Sequence, residues 1–228
     1  MNNVVFLIIA INVVFSIQGF NNGPFIEKYI FYVGRIRWGK EYYRLISSGF
    51  LHANWGHLFF NMLALYFFGR TMVFVLGPVL FCVLYLVSLI GGNLLALYLK
   101  GDNAHYRALG ASGAVSGVLY AFILPFPWEK IYLFFIPIGI PAWIFGILFV
   151  VISVYGMRSQ KDNIGHEAHL GGAITGLFTM IVIRPDLFMQ NWEIGLAVLT
   201  PTLIFLYLSV KKPEILRSGQ KNEWINRD

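Results

Sequence analysis

The sequence predicts an all-α, polytopic membrane helix bundle, and three observations predict it. Of 228 residues, 57% are hydrophobic and only 12% charged, against roughly 25% charged in an ordinary soluble domain. Apolar stretches close to the ~20 residues that cross a ~30 Å hydrocarbon core recur along the whole chain. The polar residues beside or inside those stretches gather in three groups. The net charge of +6 comes from Lys and Arg confined to short loops. They read as topology signals and lipid-headgroup contacts, which removes nucleic acid as a partner. The single cysteine, Cys82, lies in an apolar run and excludes an internal disulfide or a cysteine metal cluster.

Taken in order, the spans fall at 3–20, 57–76, 79–99, 112–126, 134–156, 167–184 and 193–210. Met1 to Phe20 looks superficially like a signal peptide. It lacks a basic leading region and a small-residue cleavage site, so it is read as the first span. Residues 21–56 mix Gly23-Pro24, Arg35, Arg37 and Lys40 with Phe25, Tyr29, Phe31, Trp38 and Tyr42, which suits a folded element at the membrane interface. Gly77-Pro78 marks a tight turn between the second and third spans. The fourth span is too short to cross alone, so a helix opening at Ser112 starts below the membrane surface, in a protein-lined cavity. Pro137, Gly139 and Pro141 make the start of the fifth span irregular. The expected division is a core at 1–186, an additional transmembrane helix at 187–212 and a polar, flexible tail at 213–228.

An ionised group at mid-bilayer costs about 2.5–3.5 kcal/mol on insertion scales, so intramembrane ionisable residues are functional candidates. The first polar group runs from His52 to Asn61, with His57 and Asn61 four apart on one helix face. A bland reading makes them interhelical hydrogen-bonding residues. The second is Gly110 to Gly117. Here Gly113 and Gly117 form a small-xxx-small pair for close helix packing, while Ser112 at the helix mouth is a candidate nucleophile. The third runs from Gly165 to Gly176, with His169, Gly172 and Gly176 on one stripe. If the glycine stripes of the fourth and sixth spans pack, Ser112 and His169 meet at the upper end of that contact. Serine within hydrogen-bond reach of histidine is the minimal activated nucleophile.

In this order Tyr43-Arg44, His52, His57 with Asn61, Gly69 and Gly77, Gly110-x-Ser112-Gly113 and Ala168-His169-x-x-Gly172-x-x-x-Gly176 resemble the rhomboid intramembrane serine proteases across nearly the whole chain. The resemblance implies a six-helix core with one added C-terminal span. It implies a Ser–His dyad with no acidic third member: Ser112 as nucleophile, His169 as general base and then acid. His57, Asn61 and the Ser112 backbone N–H would hold the oxyanion, and His52 would support the site. No cofactor is implied. The partners are transmembrane protein substrates and membrane lipid, in the inner membrane of a bacterium. The start of the fifth span and the 157–165 loop are the candidate gate and cap. Two positions depart from the pattern. Ser116 stands where members often carry an aromatic stacked on the histidine, which leaves a Ser116 hydroxyl or a water to orient His169. Val73 replaces a frequent glutamate.

Two rival readings remain. His52, His57, His105, His166, Glu167 and His169 are ample ligands for a metal transporter, although His166-Glu167-Ala168-His169 has spacing three where the zinc-protease helix needs four. A catalytically silent adaptor or chaperone is the other, though such relatives lack the nucleophile or the base. The family's topology, with a cytoplasmic N-terminus, leaves only Arg70, Lys130 and Arg184 on the cytoplasmic side if the last stretch spans. That opposes the positive-inside rule.

Overall fold

The computed structural model describes residues 3–133, 136–159 and 164–211. The polar tail and the middle of the 157–165 loop lie outside them. Helix α1 (Asn3–Asn21) packs on α5 (Trp55–Leu99) through Val5 and Ile8, with two polar residues, Asn12 and Ser16, also buried. Among the described residues, three helices are long and apolar enough to cross a membrane: α1, α5 and α7 (Ala142–Ser159). Helix α5 is one only by its hydrogen bonds. At Gly77 the backbone takes φ 76°, ψ 166°, with Pro78 following, a region essentially reserved for glycine. The chain folds back there, and Phe81 comes to lie against Gly69. Val73 is fully buried in this core.

The first loop is folded, built from α2 (Gly23–Tyr29), β1 (Phe31–Tyr32), α3 (Val33–Arg37), α4 (Arg44–Ser47) and a 3-10 turn, Ser48–Phe50. Arg44 is buried and holds these pieces together. Its Nη1 donates to the carbonyls of Glu27 (2.9 Å) and Ile30 (2.8 Å), and its Nε to the Glu41 carboxylate (2.6 Å). That guanidinium keeps the Glu41 carboxyl below the usual range. Strand β1 pairs antiparallel with β2 (Arg107–Ala108), matching Phe31 to Ala108 and Tyr32 to Arg107. The first loop is thereby tied to the segment that leads into the site.

Helix α6 (Ser112–Ile123) is the centre of the bundle. Every residue from Ser116 to Leu124 is buried, since a helix surrounded by other helices has no face left for lipid. At 1.5 Å per residue, twelve residues span about 18 Å, well short of the bilayer core. Its neighbour α8 (His166–Ile183) approaches at backbone contact: a Cβ on Gly172 would collide with the Gly113 carbonyl, and one on Gly176 with Gly117. On its other side α8 meets α5, where a Cβ on Gly92 would fall against the Ala168 carbonyl.

Between α6 and α7 the chain forms a hairpin, β3 (Lys130–Leu133) with β4 (Ile136–Pro141). This corrects the fifth span. Its helix begins at Ala142, and Pro137, Gly139 and Pro141 belong to a strand, because prolines that cannot continue a helix are tolerated on an edge strand. A short α9 (Pro185–Gln190) leads to α10 (Trp192–Lys211), which packs on α7 with Val198 beside Gly146.

Candidate active site

Three helices begin at one place. Helix α5 opens with Asn54 as its cap, the side chain accepting from His57 N–H at 2.8 Å. Helix α6 opens on Ser112 itself, and α8 opens on His166, placing His169 in its first turn. The glycine contact between α6 and α8 brings the last two together: Ser112 Oγ lies 2.6 Å from His169 Nε2. Both side chains are half-buried, so the pair can be reached.

The reach is from a cavity of about 1020 Å³. Phe60 and Phe67 of α5, Val115 of α6, Phe145 and Phe149 of α7 and Tyr132 of the hairpin line it, together with Ser112 and His169. The walls are therefore largely apolar, with Ser112 and His169 among the few polar groups and Glu129 and Lys130 of the hairpin region also on the lining. Such a space accepts an apolar segment while its reactive group faces two titratable or hydroxylic side chains.

The loop before α6 is held by histidines. Gly110 has φ +133°, and a Cβ there would fall 2.7 Å from His57 Cε1 and 2.8 Å from Nε2. Glycine is thus required twice, for the backbone angle and for the approach of the His57 ring. The Ala53 N–H donates to His57 Nδ1 over a long 3.5 Å. A neutral His57 then carries its proton on Nε2, the nitrogen facing Gly110. His52 sits beside it, ring centroids 5.0 Å apart. Its Nε2 accepts from Ala111 N–H at 3.4 Å, so its Nδ1–H donates to Ser16 Oγ at 2.9 Å, and Ser16 donates onward to the Phe50 carbonyl at 3.2 Å. Burial, reinforced by His57, pushes the His52 imidazole down to about 3 and keeps it neutral. Gly110 N–H donates to the Ser48 carbonyl at 3.0 Å.

Asn61 is buried, one turn below His57, and its amide donates to the His57 carbonyl at 2.9 Å. Gly113, Gly117, Gly172 and Gly176 form the α6–α8 contact, and Arg44 belongs to the first loop and not to this cluster. The first backbone N–H groups of α6, from Ser112 onward, have no partner four residues earlier in the helix.

The expectation about what orients His169 changes. The Ser116 hydroxyl donates back to the Ser112 carbonyl at 2.7 Å. The ring lying along His169 comes from α7: Phe149, with centroids 6.1 Å apart and planes at 30°. His166 is buried as well, its ring edge-on to His169 at 6.0 Å and pressed against Gly156 of α7. Sequence reasoning also missed Ser16, although a hydroxyl inside an apolar span is a signal. It missed Lys100 as well, whose ammonium pairs at 3.0 Å with the buried Glu167 while Tyr106 donates to the same carboxylate at 3.3 Å. Burial and that carboxylate raise the Tyr106 phenol. Phe149 had no signal, being one of several phenylalanines in an apolar run. Among the described residues, no three His, Cys, Asp or Glu are grouped to hold a metal ion.

Comparison with known proteins gives a consistent result. Residues 39–186 match the Rhomboid domain. RHOMBOID-like protein 12, mitochondrial, of Arabidopsis thaliana is 36% identical over 160 residues, covering 63% of this chain and 47% of that protein. Rhomboid protein 1, mitochondrial, of Saccharomyces cerevisiae is 34% identical over 186 residues, 77% of this chain and 51% of that protein. The Rhomboid protease GluP of Bacillus subtilis is 27% identical over 176 residues, 76% of this chain and 33% of that protein. The chain spans a third to about half the length of these relatives.

Proposed function

The chain belongs to the rhomboid family, and on that premise we propose that it is an intramembrane serine endopeptidase acting on transmembrane or membrane-adjacent segments of other proteins. The observation that carries the reading is the 2.6 Å separation of Ser112 Oγ and His169 Nε2 on the lining of a largely apolar cavity. Ser112 Oγ attacks a peptide carbonyl as its proton passes to His169 Nε2. The tetrahedral oxyanion is met by the Ser112 N–H and the His57 Nε2–H, each preorganised donor contributing a few kcal/mol. Asn61 is proposed as a further oxyanion donor, its amide held on the His57 carbonyl at 2.9 Å in this structure. As the C–N bond breaks, His169 returns the proton to the leaving amine. It then takes a proton from the water that attacks the Ser112 ester, and as the acyl–Oγ bond breaks to release the carboxyl product it returns that proton to Ser112 Oγ.

The protease core is proposed to be residues 1–186, with 187–212 an additional membrane helix. The strand that leads into α7, with Pro137, Gly139 and Pro141, is the proposed gate, and the 157–165 loop the proposed cap. The proposed membrane is a bacterial plasma membrane with the dyad facing outward. Reporter fusions in the 157–165 loop and after Asp228 test the orientation, and fractionation tests the membrane. A helical peptide bond must unwind to present its carbonyl, so small helix-breaking residues favour cleavage. Cleavage of a rigid polyleucine span at equal rate contradicts this.

A fluorophosphonate probe should label folded wild type and not Ser112→Ala or His169→Ala, and co-expressed single-span proteins should be cut only by the wild type. Absence of Ser112-dependent labelling in folded protein sinks the protease reading in favour of a silent adaptor.

A further inference from the structure

The base in this site leans on a helix that also walls the substrate cavity. Helix α7 contributes two residues seven apart, hence on one face, and each touches the surroundings of His169. Phe149 lies along the imidazole at 6.1 Å and 30°, within the range of aromatic pairing. Gly156 leaves the space into which His166 fits, and His166 presents its edge to the other side of His169 at 6.0 Å. Phe149 is itself fixed. Tyr120 of α6 packs edge-on to it at 5.7 Å and donates its hydroxyl to the Gly146 carbonyl one turn earlier on α7, at 2.5 Å. The outward face of the same helix, Leu148, Val151, Ile152 and Tyr155, is exposed, while α10 packs along another side of it with Val198 beside Gly146. On α6, the side chain four residues beyond the nucleophile is Ser116, which has no ring to offer.

We infer that Phe149 is the positioning residue for His169, and that through it the orientation of the base follows the position of α7. The inference rests on the protease reading. Phe149 also lines the cavity, so a segment entering beside α7 meets the ring that steadies the base. Displacing α7 outward removes both Phe149 and the Gly156 seat of His166. The dyad then aligns only when α7 closes again or the entering segment supplies an equivalent surface.

The test uses the full chain in proteoliposomes and the rate at which a fluorophosphonate labels Ser112, divided into probe binding and inactivation. Phe149→Ala should lower the inactivation rate on the order of 10–100-fold, with probe binding little changed. Phe149→Tyr should restore most of the rate, whereas Phe149→Leu, which keeps bulk and loses the ring, should not. The decisive variant moves the ring: Ser116→Phe in the Phe149→Ala background should recover labelling by supplying the aromatic from α6. Thermal melting establishes that each variant is folded, and if Phe149→Ala is not, Phe149→Leu and its Ser116→Phe double variant carry the comparison. Wild-type inactivation rates in folded Phe149→Ala or Phe149→Leu overturn the inference, as does failure of the transplanted ring to recover any rate. Those results leave the protease reading standing. A wild type that shows no Ser112-dependent labelling overturns the protease reading, and the inference falls with it.

Discussion

Replacing Gly172 by alanine should damage the site far more than the same change at Gly113, though the two glycines face each other. At Gly113 an added Cβ would lie 3.2 Å from the Ala168 carbonyl oxygen, so the neighbour yields by a few tenths of an ångström. At Gly172 the Cβ would sit well inside the Gly113 carbonyl group and 3.0 Å from its Cα. Those are backbone atoms, and they cannot give way unless α6 and α8 separate. Restoring ordinary contact requires a separation on the order of 1 Å. Gly113 adjoins Ser112, and Gly172 is one turn from His169, so the shift passes almost directly into the dyad. From 2.6 Å the pair would open to a distance at which no useful hydrogen bond remains. A misplacement of that size costs roughly 100-fold in rate, or about 2.7 kcal/mol. Overpacking should remove about 1–3 kcal/mol of stability besides. Fluorophosphonate labelling rates of Ser112 and thermal unfolding in the same detergent measure both effects. If folded Gly172→Ala reacts as fast as Gly113→Ala, the backbone contact does not set the dyad distance.

Three further outcomes follow from other parts of the molecule. His52 is neutral in the fold, with its proton affinity depressed to about 3, so its contribution is complete above the unfolded value near 6.5. It is lost as pH falls toward 3, at about 1.4 kcal/mol per pH unit. The stability advantage of wild type over His52→Gln should therefore shrink between pH 6.5 and 5, and a constant difference over that window contradicts the assignment. Lys100→Met leaves the buried Glu167 carboxylate without its ion pair and should cost about 3–5 kcal/mol. The double variant Lys100→Met/Glu167→Met should regain much of that in thermal melts. Gly77→Ala meets no atom within 4 Å, so its cost of about 1–3 kcal/mol is backbone strain alone and should appear equally for Gly77→Ser.

The bundle was legible because a bilayer imposes one pattern on every span. The Gly77-Pro78 turn was visible for a related reason, since glycine before proline in an apolar run has few other uses. Ser112 and His169 stood out as polar groups in apolar sequence, and the structure holds them 2.6 Å apart. The hairpin at Lys130–Pro141 was not visible. Its residues are as apolar as a span, and only Pro137, Gly139 and Pro141 warned that the segment was not helical. Phe149 was hidden for a deeper reason. An aromatic that props a histidine is chemically the same as one that faces lipid, and only the placement of α7 separates them.

The convergence of three helix starts gives the site an electrostatic character that no single motif displays. The N-terminal ends of α5, α6 and α8 meet around Ser112, His57 and His169. Each carries the partial positive charge of a helix N-terminus. Apolar walls keep the local dielectric low, so those fixed dipoles act more strongly than they would in water. On the proposed chemistry the negative charge develops on the carbonyl oxygen attacked by Ser112, close to where the three helices begin. The only formal cation the proposed chemistry forms there is the transient His169 imidazolium beside the oxyanion. The convergence also accounts for the order of the polar groups in the sequence. His52 to Asn61, Gly110 to Gly117 and Gly165 to Gly176 each stand at the entrance to an apolar helix, because only there can one chain supply both the helix end and the side chain that works beside it.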